Sequence, residues 1–555
     1  MIDAAALGIP ETFNVATHFV DRHVREERGA KVAIECGDER VTYAQLLERV
    51  NRFGAALRDR LGARAEERVV LLLLDGPAFA YSFFGAIKIG AVPIPINTLW
   101  KPADYQYVLN DSRARVLVAS AELLPQIECI PPKELRFLQH IVVVGDAARP
   151  VRPVTSFVDL LDNGSSDLDA EPTSRDAVAF WLYSSGSTGR PKGCVHLQHD
   201  MVICAELFAK GVLRARSTDR FFSVAKLFFA YGLGNALYFP LAVGGTSILW
   251  PGPPTPPNVY NIIEKHRPTL LFSVPTSYGM LLAHGRPEGL HDDGGRADVQ
   301  VSRDVDSRSA DLQVRRDFDL STVRLAVSAG EALPPALYER FKQRFGIDIV
   351  DGIGSTEALH MFISNRPDAI RPGSSGLLVD GYEGRVLDDD RQPVAAGEIG
   401  NLWINGDSVC SCYWNQHEKT KNTIEGSWIR TGDKYSRDAD GFFWFAGRSD
   451  DMMKVGGLWV SPVEVENALV EHAAVQECGV AAREDRDALV KPAAFVVLRA
   501  GVEPTPALAD ELKAFVRARL AEYKRPRWVE FVSELPKTAT GKIQRFKLRE
   551  TSSQM

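Results

Sequence analysis

A segment rich in glycine and hydroxyl groups, Tyr183–Gly193, has residue types that indicate phosphate chemistry. It reads Tyr-Ser-Ser-Gly-Ser-Thr-Gly-Arg-Pro-Lys-Gly and follows an apolar stretch, Ala177–Leu182, that is typical of a buried strand. The glycines allow close backbone approach, the hydroxyls donate hydrogen bonds, and Arg190 and Lys192 supply positive charge, which together suit a polyphosphate. The segment is not a Walker P-loop, because it lacks Gly-Lys-Ser/Thr and because Pro191 opposes an immediate helix.

Further charged and glycine-containing motifs follow along the chain. A lone carboxylate or lysine is ordinarily a solvated surface charge, so each motif is weak evidence by itself. Their fixed order makes the set specific. The motifs are Ser328–Leu333 (Ser-Ala-Gly-Glu-Ala-Leu), Asp351–Glu357 (Asp-Gly-Ile-Gly-Ser-Thr-Glu), Trp428–Asp433, Gly447–Gly457 and Pro536–Lys542.

With the Tyr183–Gly193 segment, these motifs resemble those of the adenylate-forming superfamily, which includes acyl-CoA synthetases, luciferases and peptide-synthetase adenylation domains. The resemblance covers nearly the whole chain. It implies an acid–thiol ligase that uses ATP and Mg²⁺ to form an acyl-adenylate and then transfers the acyl group to CoA. It also implies an α/β fold, with a large N-terminal domain of β-sheets and packed helices (1–447) and a small mobile α+β C-terminal lid (448–555). The hinge would lie near Asp450.

Attack of a carboxylate on the α-phosphate of ATP brings two anions together, so the barrier falls mainly through positioning and charge neutralisation. The resemblance implies that Thr188 and Lys192 hold phosphates, that Glu357 holds Mg²⁺, and that Asp433 accepts hydrogen bonds from the ribose. Arg448 would contact ribose or phosphate. The nucleotide site would also include Ser184, Ser185, Gly186, Ser187, Gly189, Gly330, Glu331, Ala332, Asp351, Gly352 and Thr356.

Lys542 is the strongest catalytic candidate, although an isolated lysine near a chain end is ordinarily solvated. The resemblance implies that it enters the active site and bridges the acid and ATP, a task that suits a compact ammonium group. The resemblance further assigns Gly456 and Gly457 to the passage of the CoA arm. No nucleophilic triad is present, which fits direct attack of a thiol on the adenylate.

An aromatic and glycine-rich run, Lys226–Asn235, is followed by Leu359–Phe362, and an apolar slot with one polar tip would suit a flat aryl carboxylate. An ordinary aromatic core is the competing interpretation. The two segments resemble the benzoate–CoA ligase subgroup, which implies a benzoate ligase. A ligase for hydroxy- or aminobenzoates and an enzyme that loads a separate carrier protein remain alternatives. The implied pocket residues are Ala230, Tyr231, Phe239, Ile353 and His360.

Alternating elements would position these motifs. A strand at Val69–Leu74, a helix at Pro77–Ile89 and a strand at Ala91–Ile96 have β-α-β spacing, which predicts parallel pairing. In the C-terminal unit, Ser461–Glu464 reads as a capping box, and a later helix would end at Lys524–Pro526.

Composition excludes several classes of protein. The 555 residues require at least two domains, and a formal net charge of −7 argues against nucleic acid as the main partner. Absence of a leader-like N-terminus and of long apolar runs predicts a cytoplasmic protein without membrane contact. A homodimer stays open. The polar segment 285–317 is expected to be a surface loop or a disordered insertion, and His196 and His199 are expected to be packing or capping residues.

Overall fold

Parallel strands dominate a nine-stranded and a five-stranded sheet of the protein, seen in a computed structural model that describes residues 2–146, 150–184, 190–284, 319–449, 451–455, 458–486, 489–537 and 543–553. The largest sheet has nine strands, of which the central six run parallel and the outer ones antiparallel. In spatial order they are Leu377–Leu378, Met361–Ser364, Ile349–Gly354, Leu325–Ser328, Leu270–Ser273, Arg220–Ser223, Thr246–Leu249, Val32–Cys36 and Glu39–Thr42.

The second large sheet is wholly parallel and contains the predicted β-α-β unit. The strand Arg68–Leu72, the helix Pro77–Lys88 and the strand Val92–Pro95 lie within a residue or two of their predicted bounds, and the strands pair in parallel. This prediction is confirmed. In spatial order the strands are Val92–Pro95, Arg68–Leu72, Val116–Ser120, His140–Val144 and Thr155–Ser156.

A three-stranded and a five-stranded antiparallel sheet complete the N-terminal region. One joins Val178–Ser184, Lys192–Leu197 and Cys412–Tyr413. The other contains Glu383–Leu387, Gly400–Asn405, Ile424–Glu425, Trp428–Arg437 and Phe443–Arg448.

Most helices cover the faces of the sheets. They begin at recognisable signals: the helix Tyr43–Asp59 follows a capping box between Thr42 and Gln45, and many others have proline in the first turn. The α-helices are Arg22–Arg25, Tyr43–Asp59, Pro77–Lys88, Pro102–Asp111, Pro125–Glu128, Phe157–Asn163, Asp200–Cys204, Ala230–Leu233, Phe239–Val243, Pro256–His266, Pro275–Ala283, Pro335–Phe345, His417–Thr423, Pro462–Val470, Pro506–Arg517 and Arg545–Ser553. Short π- or 3₁₀-helical stretches are Thr17–Asp21, Ala121–Leu123, Pro132–Glu134, Ala205–Val212, Gly234–Tyr238 and Glu522–Lys524.

The C-terminal unit has its own sheets and its own core. Its strands are Met453–Val455 paired with Leu458–Val460, and Val475–Glu484, Val490–Leu498 and Trp528–Phe531. Its two hydrophobic clusters contain only residues from Met453 onward, whereas the clusters of the N-terminal region extend no further than Phe445. The separate cores support the predicted domain division, whose exact boundary stays a prediction.

Two details of the C-terminal unit differ from expectation. The hydroxyl of Ser461 accepts a hydrogen bond from the backbone of Glu464 as predicted, but the Glu464 carboxylate pairs with Lys524 at 2.6 Å. A nearby lysine is the stronger partner because the hydrogen bond is charge-assisted. The helix predicted to reach Lys524–Pro526 ends at Arg517 and is followed by a separate turn.

The segment 285–317, predicted to be a surface loop or a disordered insertion, lies outside the described residues. Within the described residues, no helix combines the length and the hydropathy needed to cross a bilayer.

Candidate active site

A cavity of about 2000 Å³ brings together twelve of the sixteen predicted site residues that the structure describes. The C-terminal unit closes one side of it with residues that include Glu466, Lys537 and Arg545. The predicted residues on its walls are Ser184, Lys192, Ala230, Gly330, Glu331, Ala332, Gly352, Ile353, Thr356, Glu357, Asp433 and Arg448.

The parallel strands explain why residues so distant in sequence meet here. The strands Leu270–Ser273, Leu325–Ser328 and Ile349–Gly354 are neighbours in the nine-stranded sheet, and their carboxyl ends lie at the same edge. Segments that follow such ends form the ligand crevice of open parallel sheets. Glu331 and Glu357 come directly after two of these strands and therefore face the same space.

On the wall of the cavity, Lys192 and Glu357 form an ion pair of 2.6 Å. The phenol of Tyr413 completes the cluster: it accepts a hydrogen bond from Lys192 at 2.8 Å and donates one to Glu357 at 2.8 Å. The Lys192 ammonium also lies 4.1 Å from the centre of the Tyr413 ring. The cluster therefore has one cation and one anion, both held in fixed positions.

Charge within this cluster is set by competition between burial and pairing. Burial opposes ionisation of Glu357, but the Lys192 ammonium and the Tyr413 hydroxyl outweigh it, and the pKa of Glu357 lies below its usual value. Burial and the neighbouring Glu357 carboxylate raise the pKa of Tyr413, so its hydroxyl remains protonated. Glu357 is therefore an anion at neutral pH and Tyr413 a hydrogen-bond donor.

Asp433 and Arg448 lie opposite each other on two paired strands, Trp428–Arg437 and Phe443–Arg448. Their side chains form an ion pair of 2.8 Å at the wall of the cavity. The positive φ of 78° at Gly432 turns the chain immediately before Asp433. A carboxylate placed in this way can accept hydrogen bonds from a diol while a guanidinium faces an anion beside it.

Two neighbouring strands, at or just after their carboxyl ends, contribute another group of predicted nucleotide-site residues: Gly330, Glu331, Ala332, Asp351 and Gly352. Gly330 has a φ of 92°, which favours glycine, and the neighbouring Glu331 accepts a hydrogen bond from Thr276 at 3.1 Å. Asp351 differs from expectation because its side chain is buried behind the wall, while Gly352 lines the cavity. Burial raises the pKa of Asp351 to about 8, so this carboxyl is largely neutral at pH 7.

The predicted aryl pocket is divided into two layers. Ala230 and Ile353 line the cavity, whereas Tyr231, Phe239 and His360 lie behind them and are not on its wall. The His360 ring packs against Phe239 with ring centroids 4.5 Å apart. Burial lowers the pKa of His360 to about 3, so the imidazole is neutral. Contact of this back layer with an acid stays a prediction.

His360 has a polar partner in the same layer. Its Nε2 lies 3.1 Å from the side-chain oxygen of Asn235. Close packing leaves little room there, since a Cβ added to Gly234 would lie 2.6 Å from the ring of His360. The space around His360 in this back layer of the predicted aryl pocket is therefore small and fixed in shape.

Several predicted residues lie outside the described residues, and their roles stay predictions from the sequence. They are Ser185, Gly186, Ser187, Thr188 and Gly189 of the phosphate segment, Asp450 of the hinge, Gly456 and Gly457 of the CoA passage, and Lys542. The flanking strands end at Ser184 and restart at Lys192, and these two residues pair across the sheet. A strand rather than a helix follows the phosphate segment, as Pro191 led us to expect.

Tyr413 is the site residue that sequence reasoning missed. Its neighbour Cys410 is fully buried and packs against Cys194 and Tyr413. Pairing of Cys412–Tyr413 with the strand Lys192–Leu197 brings Tyr413 to the site. A two-residue strand has no periodicity that a sequence could reveal.

The described residues include no group of three or more His, Cys, Asp or Glu side chains suited to hold a metal by themselves. A magnesium ion needs fewer protein ligands, because it is usually bound by one or two carboxylates together with substrate phosphates and water. The ionised Glu357 on the cavity wall, with Thr356 beside it, fits that requirement.

The chain is similar to members of a known enzyme family. The family model described as "AMP-binding enzyme" matches residues 20–414, and the model of its C-terminal domain matches residues 464–542. A benzoate–CoA ligase of Thauera aromatica is 47% identical over 545 residues, which cover 98% of this chain and 97% of the relative.

Two solved structures have similar folds. The anthranilate CoA ligase in complex with anthranoyl-AMP has a TM-score of 0.89 and 44% identity, covering 98% of each chain. A benzoate CoA ligase from Burkholderia xenovorans LB400 has a TM-score of 0.84 and 43% identity, covering 97% of this chain and 100% of that one.

Proposed function

Because this chain belongs to the AMP-binding enzyme family, we propose that it is an ATP-dependent aryl acid–CoA ligase whose preferred acid is benzoate. One observation carries the proposal: the Lys192–Glu357 pair shares a single cavity with Asp433 and with the small residue Ala230. Phosphate-binding, ribose-binding and acid-binding groups are therefore close enough to act on one adenylate.

The first half-reaction joins the acid carboxylate to the α-phosphorus of ATP and releases pyrophosphate. Lys192 would neutralise phosphate charge, and Asp433 would accept hydrogen bonds from the ribose diol. Glu357, with Thr356 beside it, would hold Mg²⁺, which supplies charge neutralisation to the phosphates when bound. Lys542, Thr188 and the other residues of the Ser184–Gly189 segment would complete this set.

In the second half-reaction, the CoA thiol attacks the acyl carbon and AMP leaves. No enzyme nucleophile is required, since AMP is already a good leaving group. The arm of CoA would reach the adenylate past Gly456 and Gly457, after a change of lid position about Asp450. Hinge residues of this kind absorb the backbone rotation between two domain positions.

The choice of acid would depend on the slot bounded by Ala230 and Ile353, backed by Tyr231, Phe239 and His360. A small side chain at 230 leaves room for a ring, and the neutral imidazole of His360 adds no charge against it. Apolar pockets separate close analogues by only about 1–3 kcal/mol, so hydroxy- and aminobenzoates should react less well than benzoate but measurably.

The test measures AMP formation with ATP and CoA for benzoate, 4-hydroxybenzoate, 2-aminobenzoate, cyclohexanecarboxylate, acetate and octanoate. We expect the highest kcat/KM for benzoate and very low values for octanoate and acetate. Acetate or octanoate exceeding every aromatic acid would overturn the aryl specificity. AMP formation with a carrier protein but not with CoA would favour the carrier-loading alternative.

Two further expectations belong with this proposal. The cytoplasm is the proposed location, and a homodimer is the proposed assembly. Light scattering of the purified chain would measure its mass in solution, and a value of one chain would exclude the dimer.

A further inference from the structure

The segment that contains Glu357 has three consecutive backbone carbonyls, those of residues 356–358, that accept hydrogen bonds from residues distant in the chain. Two of the distant donors, Ser408 and Cys410, belong to one loop, and His196 lies on a separate strand; within the turn, the N–H groups of Leu359 and His360 also donate to Thr356 O and Ala358 O. Thr356 O is bound by His196 Nε2 at 2.8 Å, Glu357 O by the Cys410 N–H at 2.7 Å, and Ala358 O by the Ser408 hydroxyl at 2.8 Å.

Among these donors, His196 makes several further contacts that hold its ring in place. It is fully buried, and its Nδ1 lies 2.8 Å from the carboxylate of Asp200, itself fully buried. The same Asp200 oxygen accepts the backbone N–H of Leu197 at 3.1 Å. The His196 ring stacks on Phe180, with an interplanar angle of 21°. These contacts fix the ring in both position and orientation.

A carbonyl oxygen can only accept, so the His196 Nε2 must donate to Thr356. The other ring nitrogen, Nδ1, faces the Asp200 carboxylate, so contacts on both sides of the ring fix its orientation. A single hydrogen bond, from His196 Nε2 to Thr356 O, therefore links His196 to the Thr356–Glu357 segment.

The backbone after Glu357 would not hold its position unaided. Leu359 is buried and has a φ of 66°, a left-handed conformation that is costly for leucine and persists only where its surroundings enforce it. Thr356 and Glu357 are adjacent in the chain. Displacement of the Thr356 carbonyl would therefore also move Glu357 relative to Lys192. A shift of about 1 Å in a positioning group can cost 100-fold in rate.

We propose that His196, oriented by Asp200, is a positioning residue that places Thr356 and Glu357 for the adenylate-forming half-reaction. The inference rests on the proposed function, because it assumes that Glu357 acts in that half-reaction. His196 does not itself line the cavity and touches the reacting groups only through the Thr356 backbone.

Two isosteric substitutions separate positioning from packing. The amide nitrogen of His196→Gln lies as far along the side chain as Nε2 and can still donate to Thr356. The amide nitrogen of His196→Asn lies only as far along the side chain as Nδ1, so it can reach Asp200 but not Thr356. A role in packing alone would make the two variants similar.

We expect pyrophosphate exchange at saturating benzoate to fall at least about tenfold in His196→Asn and to stay within about threefold of the native rate in His196→Gln. Conversion of supplied benzoyl-adenylate and CoA to thioester should change little in either variant. Equilibrium titration with ATP is the second readout: the Kd should rise in His196→Asn with Mg²⁺ present and remain native-like without it.

His266 supplies the matched control. It is another buried histidine with a carboxylate partner, Glu35 at 2.9 Å, and neither residue lines the cavity. His266→Asn and His266→Gln should alter thermal stability and leave both half-reactions at native rates.

Equal exchange rates in His196→Asn and His196→Gln would overturn the proposal, as would native ATP binding in the Asn variant. If His196→Asn does not fold, His196→Phe, which keeps the stacking on Phe180, is measured in its place. Failure of both to fold would assign His196 to the core and refute a positioning role. Absence of exchange in the native chain would instead refute the proposed function.

Discussion

Among single residues, Tyr413 offers the sharpest test of the central cluster, because its hydroxyl joins the cation and the anion of the site. Tyr413→Phe keeps the ring beneath the Lys192 ammonium and removes only the hydrogen bonds. Lys192 and Glu357 would then hold each other without a third group to fix their orientation. We expect the rate of pyrophosphate exchange to fall by about tenfold, equivalent to about 1.4 kcal/mol in the barrier.

Tyr43→Phe is the control for this change. Its hydroxyl donates to Gly245 O at 2.7 Å in the core, and Tyr43 does not line the cavity. The control should lower the melting temperature and leave exchange unaffected. A native exchange rate in Tyr413→Phe would show that the Lys192–Glu357 pair needs no such support.

Asp351 makes stability depend on pH in a predictable direction. Burial raises its pKa to about 8, above the usual 3.8, so the folded state keeps a proton that the unfolded state releases. Its contribution is therefore complete below pH 4 and is lost as the pH rises to 8, by up to about 1.4 kcal/mol per pH unit. Asp351→Asn stays neutral and should remove this loss.

The measurement is the midpoint of urea-induced unfolding from pH 5 to pH 8. The midpoint of the native protein should fall relative to that of Asp351→Asn as the pH rises. The exposed Asp162 serves for comparison, and Asp162→Asn should follow the native curve. Parallel curves for the native protein and Asp351→Asn would contradict the burial argument.

Residue types in ordered motifs allowed twelve residues of the cavity wall to be predicted, including Lys192, Glu357 and Asp433. Residues whose importance comes only from tertiary contact were not found. Tyr413 lies 221 positions from Lys192, and His196 donates to a carbonyl 160 positions away. Neither has a local pattern, so His196 was expected to be a packing or capping residue.

Among elements, the strand Ile349–Gly354 and its partner Met361–Ser364 determine how the Glu357 turn leaves the sheet. The two strands approach closely because Gly354 has no side chain: an added Cβ would lie 2.4 Å from the His360 carbonyl oxygen. Gly354→Ala must therefore push the backbone apart. Such overpacking typically costs about 1–3 kcal/mol and would also displace Glu357.

We expect Gly354→Ala to lower both the melting temperature and the rate of pyrophosphate exchange. Gly76→Ala is the control, since a Cβ there meets nothing within 4 Å and the backbone is extended. It should be close to native in both measurements. Unchanged stability in Gly354→Ala would mean that the hairpin relaxes freely.

Element types followed from periodicity and caps, whereas element ends depended on tertiary partners. The parallel unit from Arg68 to Pro95 was predicted to within a residue or two because apolar runs and proline mark its limits. The helix ending at Arg517 was overextended, since the apolar pattern continues through Leu520 into a separate turn. Sheet order could not be predicted, because strand pairing is decided by long-range packing.

For the whole molecule, two separate cores face one cavity. The N-terminal region supplies Lys192, Glu357 and Asp433, and the C-terminal unit supplies the opposite wall, including Arg545. Arg545 is held within its own unit by Glu466 at 2.7 Å. This contact would persist if the C-terminal unit changed its position between the two proposed half-reactions.

The two half-reactions should then depend on different residues of the lid, in opposite ways. If Lys542 bridges the acid and ATP, Lys542→Ala should abolish benzoate-dependent pyrophosphate exchange and still convert supplied benzoyl-adenylate and CoA to thioester. If the CoA arm passes Gly457, Gly457→Leu should keep exchange and lose thioester formation, because a bulky side chain would block the passage. Asp450→Pro should favour one half-reaction over the other, since proline fixes φ near about −65° and restricts the hinge. Rates of both half-reactions in all three variants test the division directly. Two outcomes would contradict the hypothesis that Lys542 serves only adenylate formation and Gly457 only thioester formation. They are equal loss of both steps in Lys542→Ala and normal thioester formation in Gly457→Leu.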